Sequence, residues 1–292
     1  MTSLLSEQHD LVRLIERRLR LPALDSILLP PESPSDEMKD NFGFVLLQDG
    51  SVGPFYTSLE GTREWIEQHQ EDWSGQSPSR LALQMDGLHI PRSAVALGAF
   101  NAISQHLMHR SGYDPSLVEG RADSEPQGEH IGLVGFFRPL IERYLARGLR
   151  VTVIEKNPAR VPPELGLSVH TSPDALADCD YVLCTASTLI NNTLESIIHS
   201  VREPGVINLI GPSASGLPDA LFRRGIRSSG GILFHQPDQL KAALASGEAW
   251  GKAGQKYQLH VTEYPGIDLL LERIDSRQDN TTSNQAQPGD GY

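Results

Sequence analysis

Four short segments hold the residue types best suited to chemistry. Residues 131–139 read Ile-Gly-Leu-Val-Gly-Phe-Phe-Arg-Pro, an apolar run that meets Gly135 and then a helix with Pro139 at its first position. Glycine lets a backbone approach a ligand closely, and the first turn of a helix offers unpaired N–H groups and a favourable dipole. Gly132 and Gly135 could therefore frame a phosphate or carboxylate cradle, to which Arg138 could add an anion contact. The dinucleotide fingerprint carries a third glycine, absent here, and Phe136 and Phe137 crowd the turn; both phenylalanines are placed among the ligand-binding residues. A tight strand-to-helix turn that binds nothing is the competing reading.

Glu155 ends the apolar run 151–154 about twenty residues beyond Gly135, where an acid accepts hydrogen bonds from a ribose or another diol. A solvated acid at a strand end is the alternative. The richest polar stretch is Thr185-Ala-Ser187-Thr188-Leu-Ile-Asn191-Asn192-Thr193-Leu-Glu195, again between an apolar run and a helix. Capping that helix needs one such side chain, Asn192 or Thr193, and the remaining hydroxyls and amides are left for a ligand. The next apolar run ends similarly at Gly211-Pro212-Ser213-Ala214-Ser215-Gly216, and two such loops side by side would form one pocket wall.

Other chemistry is less well served. Ten histidines are present, but His106 and His109 pair with no Cys or carboxylate at zinc-site spacing and read as a polar helix end, while His235 is a single imidazole after a strand. There is no Gly-x-Ser-x-Gly elbow and no phosphate loop ending in Gly-Lys-Ser/Thr, so acyl and phosphoryl transfer lose weight. Cys184 reads as core, and with Cys179 as the only other cysteine the chain suits reduced thiols and a cytoplasmic setting.

The elements that must position these loops follow from periodicity. Leu4, Leu11, Leu14, Ile15 and Leu19 lie near helical spacing. Residues 26–29, 43–47 and 52–56, the last two joined by Asp49-Gly50, predict strands with a hairpin. Pro91 opens a segment through Ile103 that is small and apolar almost all the way round, so it predicts a buried helix that could face a second domain or a partner subunit. Residues 111–130 are Gly-, Pro- and acid-rich. Beyond them, strands at 131–134, 151–154, 181–184, 206–210 and 232–234 alternate with helices at 139–147, 193–201, 219–223 and 237–246, which predicts a mostly parallel sheet covered on both faces. The tail from Asp275 has no core to join, and disorder is expected. The expected organisation is an α+β domain over 1–115, a linker over 116–130, a Rossmann-like domain over 131–274 and a disordered tail over 275–292.

Composition narrows the partners. With 25 basic and 37 acidic residues the formal charge is -12, which disfavours nucleic acid and anionic membranes, and no apolar run is long enough to span a bilayer.

Together these motifs resemble the putative heavy-metal chelation domain family. The resemblance is carried by Val134 to Pro139, by Val153-Ile-Glu155-Lys-Asn-Pro158, by the block from Thr185 to Glu195 and by Ile210-Gly-Pro-Ser-Ala214, with residues 92–101 similar to the family's buried helix. It implies an α/β chain in which a smaller α+β enolase-N-terminal-like domain precedes the Rossmann-like one, with a crevice between them. It also implies a role in handling heavy metals through a small chelator. On this reading Gly132, Gly135, Glu155, Thr188, Asn191, Asn192 and Ser213 would line the crevice and Asn101 would reach in from the first domain. The ligand would be a small polar or anionic metabolite or a metal chelate. The alternative is an enzyme using a nucleotide cofactor, either S-adenosylmethionine for group transfer or a nicotinamide for oxidoreduction.

Overall fold

The computed structural model describes residues 2–31, 41–69, 73–118, 126 and 128–285. Most of the segment expected to link two domains lies outside them.

The chain begins with α1 (Leu4–Arg18), whose first turn is capped by the Ser3 hydroxyl and whose Leu4, Leu11, Val12 and Ile15 are buried. Three strands follow, β1 (Leu24–Leu28), β2 (Phe42–Leu47) and β3 (Val52–Tyr56), in an antiparallel sheet of that order. Leu46 faces Val52 across the expected hairpin, and Gly50 at the turn has φ 89°, a conformation that favours glycine. Short helices α2 (Thr62–Gln68) and α3 (Pro78–Ala82) lead to α4 (Ile90–Ser111).

The buried helix expected from residues 91–103 is α4. It runs on to Ser111 and ends at Gly112 with φ 66°. Along it every residue from Ser93 to Met108 is buried, because β2 and β3 cover one side while α10 (Ile267–Gln285), α6 (Ser187–Ile190) and the turn Pro212–Ala214 cover others. A Cβ on Gly53 of β3 would lie 1.9 Å from the Gly98 carbonyl oxygen, so helix and strand meet backbone to backbone where neither residue carries a side chain. One hydrophobic core therefore runs from the three-stranded sheet through α4 into the larger sheet.

The larger sheet has seven strands: β4 (His130–Val134), β5 (Arg150–Ile154), β6 (Ser168–His170), β7 (Tyr181–Thr185), β8 (Val206–Ile210), β9 (Ile226–Leu233) and β10 (Gln255–His260). Their order across the sheet is β10-β9-β8-β7-β4-β5-β6, with only β10 antiparallel to its neighbour. Helices α5 (Arg138–Ala146), α7 (Leu194–Ser200), α8 (Asp219–Phe222) and α9 (Pro237–Ser246) connect the strands. The chain winds outward from β4 through β5 to β6, then returns to β4's other side for β7, β8 and β9. That reversal leaves a crevice outside the carboxyl ends of β4 and β7, the switch point at which open α/β sheets take their ligands.

Four elements depart from expectation. β6 and β10 are edge strands with exposed positions, so their apolar pattern is weak. β9 starts at Ile226 rather than near residue 232, because Ser228, Ser229, Gly230 and Gly231 pair in the ladder as small residues under close neighbours. The tail expected to lack structure from Asp275 instead continues α10 to Gln285, with Ile274 buried against the core. Residues 286–292 lie outside the described ones.

Candidate functional site

The crevice at the switch point is a cavity of about 230 Å³. Four strand ends supply one side of it, and Phe42, Tyr56 and Leu59 of the first sheet region supply the other.

At the end of β4, Gly135 has φ 96° and donates its N–H to Ile154 O at 2.8 Å. A Cβ there would lie 3.3 Å from the Phe137 ring, and Phe136 and Phe137 both line the cavity. The expected anion cradle is thus crowded by the Phe137 ring, and Pro139 removes a donor from the first turn of α5. Arg138 does not line the cavity. It pairs with Glu142 at 2.8 Å on the exposed face of α5, a contact that raises its pKa further. Gly132, expected at the ligand, sits inside β4, where a Cβ would meet Leu176 at 2.6 Å; its role is packing under the sheet.

At the end of β5, Glu155 lines the cavity while only 8% exposed. Its backbone N–H donates to His170 O, and Oε1 accepts the Asn157 N–H at 3.1 Å, which leaves most of the carboxylate's accepting capacity to a visitor. Lys156 and Arg160 line the same end.

After β7, Thr185, Ser187, Thr188, Asn191 and Thr193 all line the cavity. Their hydroxyls are partly spent on the loop itself. Thr188 Oγ1 donates to Thr185 O at 2.7 Å, Thr185 Oγ1 lies 3.2 Å from Ser187 Oγ, and Thr193 Oγ1 donates to Asn191 Oδ1 at 2.6 Å. Asn192 does not face the cavity. It is exposed, adopts φ 53° to turn the chain into α7, and packs against Gly87.

After β8, Gly211 adopts φ 110° and ψ 159°, a region open almost only to glycine, and turns the chain into Pro212 and Ser213. Both line the cavity with Gly211. Ser213 is 2% exposed and its Oγ is buried with no hydrogen-bond partner. Ser215 fixes the loop to β9 by accepting the Ile232 N–H at 3.0 Å and donating to Pro212 O at 2.6 Å. Asn101 does not line the cavity either. Buried on α4, it donates from Nδ2 to Pro54 O at 2.7 Å and to Ser213 O at 3.0 Å, holding the loop from behind.

The histidines lie elsewhere. His106, expected at a polar helix end, is buried and bonds Asp49 at 2.6 Å, because α4 continues beneath the β2–β3 turn. His109 and His235 line a second cavity of about 260 Å³ with Asp49, Tyr113 and Asp114. Among the described residues no group of three or more His, Cys, Asp or Glu side chains could hold a metal ion, and no helix is long and apolar enough to cross a membrane. Both cysteines are free and buried. Burial pushes the Cys179 thiol up to about 11 and the Cys184 thiol up to about 12.

The sequence showed no sign of the wall made by Phe42, Tyr56 and Leu59. Nothing local marks it, since an antiparallel strand reads the same whether its edge meets solvent or a second sheet.

A seven-stranded, mostly parallel sheet in Rossmann order, joined to a small antiparallel sheet, defines the class of protein. Residues 121–263 match the family model DUF364, described as putative heavy-metal chelation. Two solved structures of DUF364 proteins of unknown function share the fold. The one from Pyrococcus horikoshii is 20% identical with a TM-score of 0.65, covering 88% of this chain and 100% of its own. The one from Desulfitobacterium hafniense DCB-2 is 19% identical with a TM-score of 0.67, covering 88% and 98%. No curated protein matches the chain.

Proposed function

We propose that this protein binds a small organic molecule in the switch-point crevice, and that any part it takes in heavy-metal chelation runs through that molecule. The observation that carries this reading is the buried Glu155 carboxylate, whose accepting capacity is mostly unspent, in a cavity that is also lined by Ser213, a residue whose hydroxyl has no protein partner. A buried polar atom without a partner costs about 1–3 kcal/mol, which a ligand hydrogen bond recovers. Soft metals need thiolate or imidazole sets, and the described residues gather none, so the donor atoms for a metal would belong to the bound molecule. The free, buried cysteines suit a reducing compartment, and we place the protein in the cytoplasm.

Native mass spectrometry of the full chain purified without added ligand tests the reading. A retained metabolite, lost from the Glu155→Gln and Ser213→Ala proteins while their melting temperatures stay within a few degrees of the parent, is the expected result. Retention unchanged in both variants would move the site elsewhere. The enzyme alternative is favoured by one feature only, the position of Glu155 at the end of the second strand of the parallel set, where a nucleotide ribose is held in this fold.

A further inference from the structure

We infer that the crevice takes a ring-bearing vicinal diol with no phosphate on the side that meets the β4 turn, and that Phe136 and Phe137 enforce this choice. The inference rests on the small-molecule reading above and narrows it. Three observations lead to it.

First, Glu155 presents a carboxylate that is 8% exposed and whose sole hydrogen-bond partner among the described residues is the Asn157 N–H. An acceptor-only group in that setting selects a donor, and two adjacent hydroxyls can engage both of its oxygens.

Second, the place where this fold ordinarily receives a pyrophosphate is short of donors and crowded by phenyl rings. The Gly135 N–H is already committed to Ile154 O, Pro139 supplies no N–H, and the Phe137 ring stands against the Gly135 backbone. A phosphate there would lose part of its hydration against hydrocarbon rings that offer it no hydrogen-bond donor, which disfavours an anion. Lys156 and Arg160 stand at the Glu155 end instead, so the exclusion is local to the β4 turn.

Third, Phe42, Phe136 and Phe137 with Ile154 and Ile210 give the cavity an aromatic and aliphatic surface suited to a planar ring. Its volume of about 230 Å³ falls below the roughly 300–1,000 Å³ of pockets for drug-sized ligands, too little for a whole dinucleotide. The diol chemistry is shared by ribonucleosides and catechols, the second being metal chelators in their own right.

Calorimetry and thermal melting on the full chain separate these cases, using adenosine, 2′,3′-dideoxyadenosine, catechol, adenosine 5′-monophosphate and NAD. Adenosine or catechol is expected to bind and raise the melting temperature, and whichever does so names the source. The dideoxy compound and the Glu155→Gln protein should each lose about tenfold or more in affinity, as expected when a charge-assisted hydrogen bond is removed. The 5′-phosphate and NAD should bind at least about tenfold more weakly than adenosine, and Phe137→Ala should narrow that gap. Equal or tighter binding of either phosphorylated compound overturns the exclusion. A gap unchanged in Phe137→Ala overturns the part given to the ring, and diol binding indifferent to Glu155→Gln overturns the assignment of the acid. If no diol binds but the protein retains another metabolite in native mass spectrometry, this inference falls and the small-molecule reading stands. If nothing binds and nothing is retained, both fall.

Discussion

The side-chain amide of Asn101 donates to the backbone carbonyl of Ser213 at 3.0 Å, across 112 residues of sequence. Its second hydrogen goes to Pro54 O at 2.7 Å. One buried amide thus ties α4 at once to β3 of the small sheet and to the β8 loop of the large one. Asn101→Ala should strip both donations from buried carbonyls and lower stability by about 1–3 kcal/mol, seen as a fall in the urea midpoint at unchanged slope. It should also weaken ligand retention, since the carbonyl it holds belongs to Ser213. Retention equal to the parent's at a temperature where both proteins are folded would show that the loop keeps its position without this tie.

A second tie between α4 and the small sheet is titratable. His106 Nδ1 lies 2.6 Å from Asp49 Oδ2, and the Ser51 N–H and hydroxyl also donate to Asp49. Burial by itself would raise the Asp49 pKa, but the hydrogen bonds from His106 and Ser51 and the attraction of His106 together hold it below the ordinary 3.8. A carboxylate with a depressed folded-state pKa contributes stability that is present above its unfolded value and is lost as pH falls through the folded one. Asp49→Asn should therefore melt below the parent at pH 7, by an amount corresponding to about 1 kcal/mol for this half-buried pair. The two melting curves should converge in acid, below the ordinary carboxylate range. A difference that persists undiminished there would assign the effect to shape rather than charge.

How much of this was legible beforehand depends on whether a residue's role is local. The hairpin at Asp49-Gly50 and the strand ends at Glu155, Thr185 and Gly211 could be read directly, because turn chemistry and apolar runs act within a few residues. Gly132 and Asn101 lie off the crevice, and one reason hides this from the sequence. Glycine in a strand and asparagine in a helix signal that something comes close, without saying whether it is a ligand, Leu176 or another backbone. Asn192 adopts the left-handed conformation that asparagine ordinarily takes in a turn, which the polar stretch around it does not reveal. That Phe136 and Phe137 crowd the β4 turn is legible in the sequence, but only the structure shows the Phe137 ring against Gly135.

The cysteines bear on the metal question directly. A thiol ligates a soft metal as thiolate, and burial holds Cys179 and Cys184 protonated well above neutral pH. The native protein at pH 7.5 should resist iodoacetamide at both positions, and both should react once it is unfolded in guanidinium. Zinc or cadmium alone should show no stoichiometric binding by calorimetry, whereas a preformed metal chelate could still enter the crevice as an organic ligand. One equivalent of zinc bound tightly by the protein without a chelator would place metal ligands on the protein itself and remove the reason for routing chelation through a bound molecule.

Gly211 offers the cleanest separation of backbone from contact. Its φ of 110° and ψ of 159° exclude other residues on conformational grounds, yet a Cβ built there would meet nothing within 4 Å. The substitution Gly211→Ala is therefore not opposed by a clash, and its cost of about 1–3 kcal/mol is the strain of that conformation. The chain relieves the strain by rotating the peptide that leads into Pro212 and Ser213, which moves a residue that lines the cavity. Stability and ligand retention should consequently fall together in Gly211→Ala, whereas Ser213→Ala should lose retention with little loss of stability, since its hydroxyl has no protein partner to forfeit. Denaturant titration and native mass spectrometry on the two variants give the comparison. A Gly211→Ala protein that loses stability but keeps its ligand would show that the loop's path matters to the fold and that Ser213 does not matter to the site.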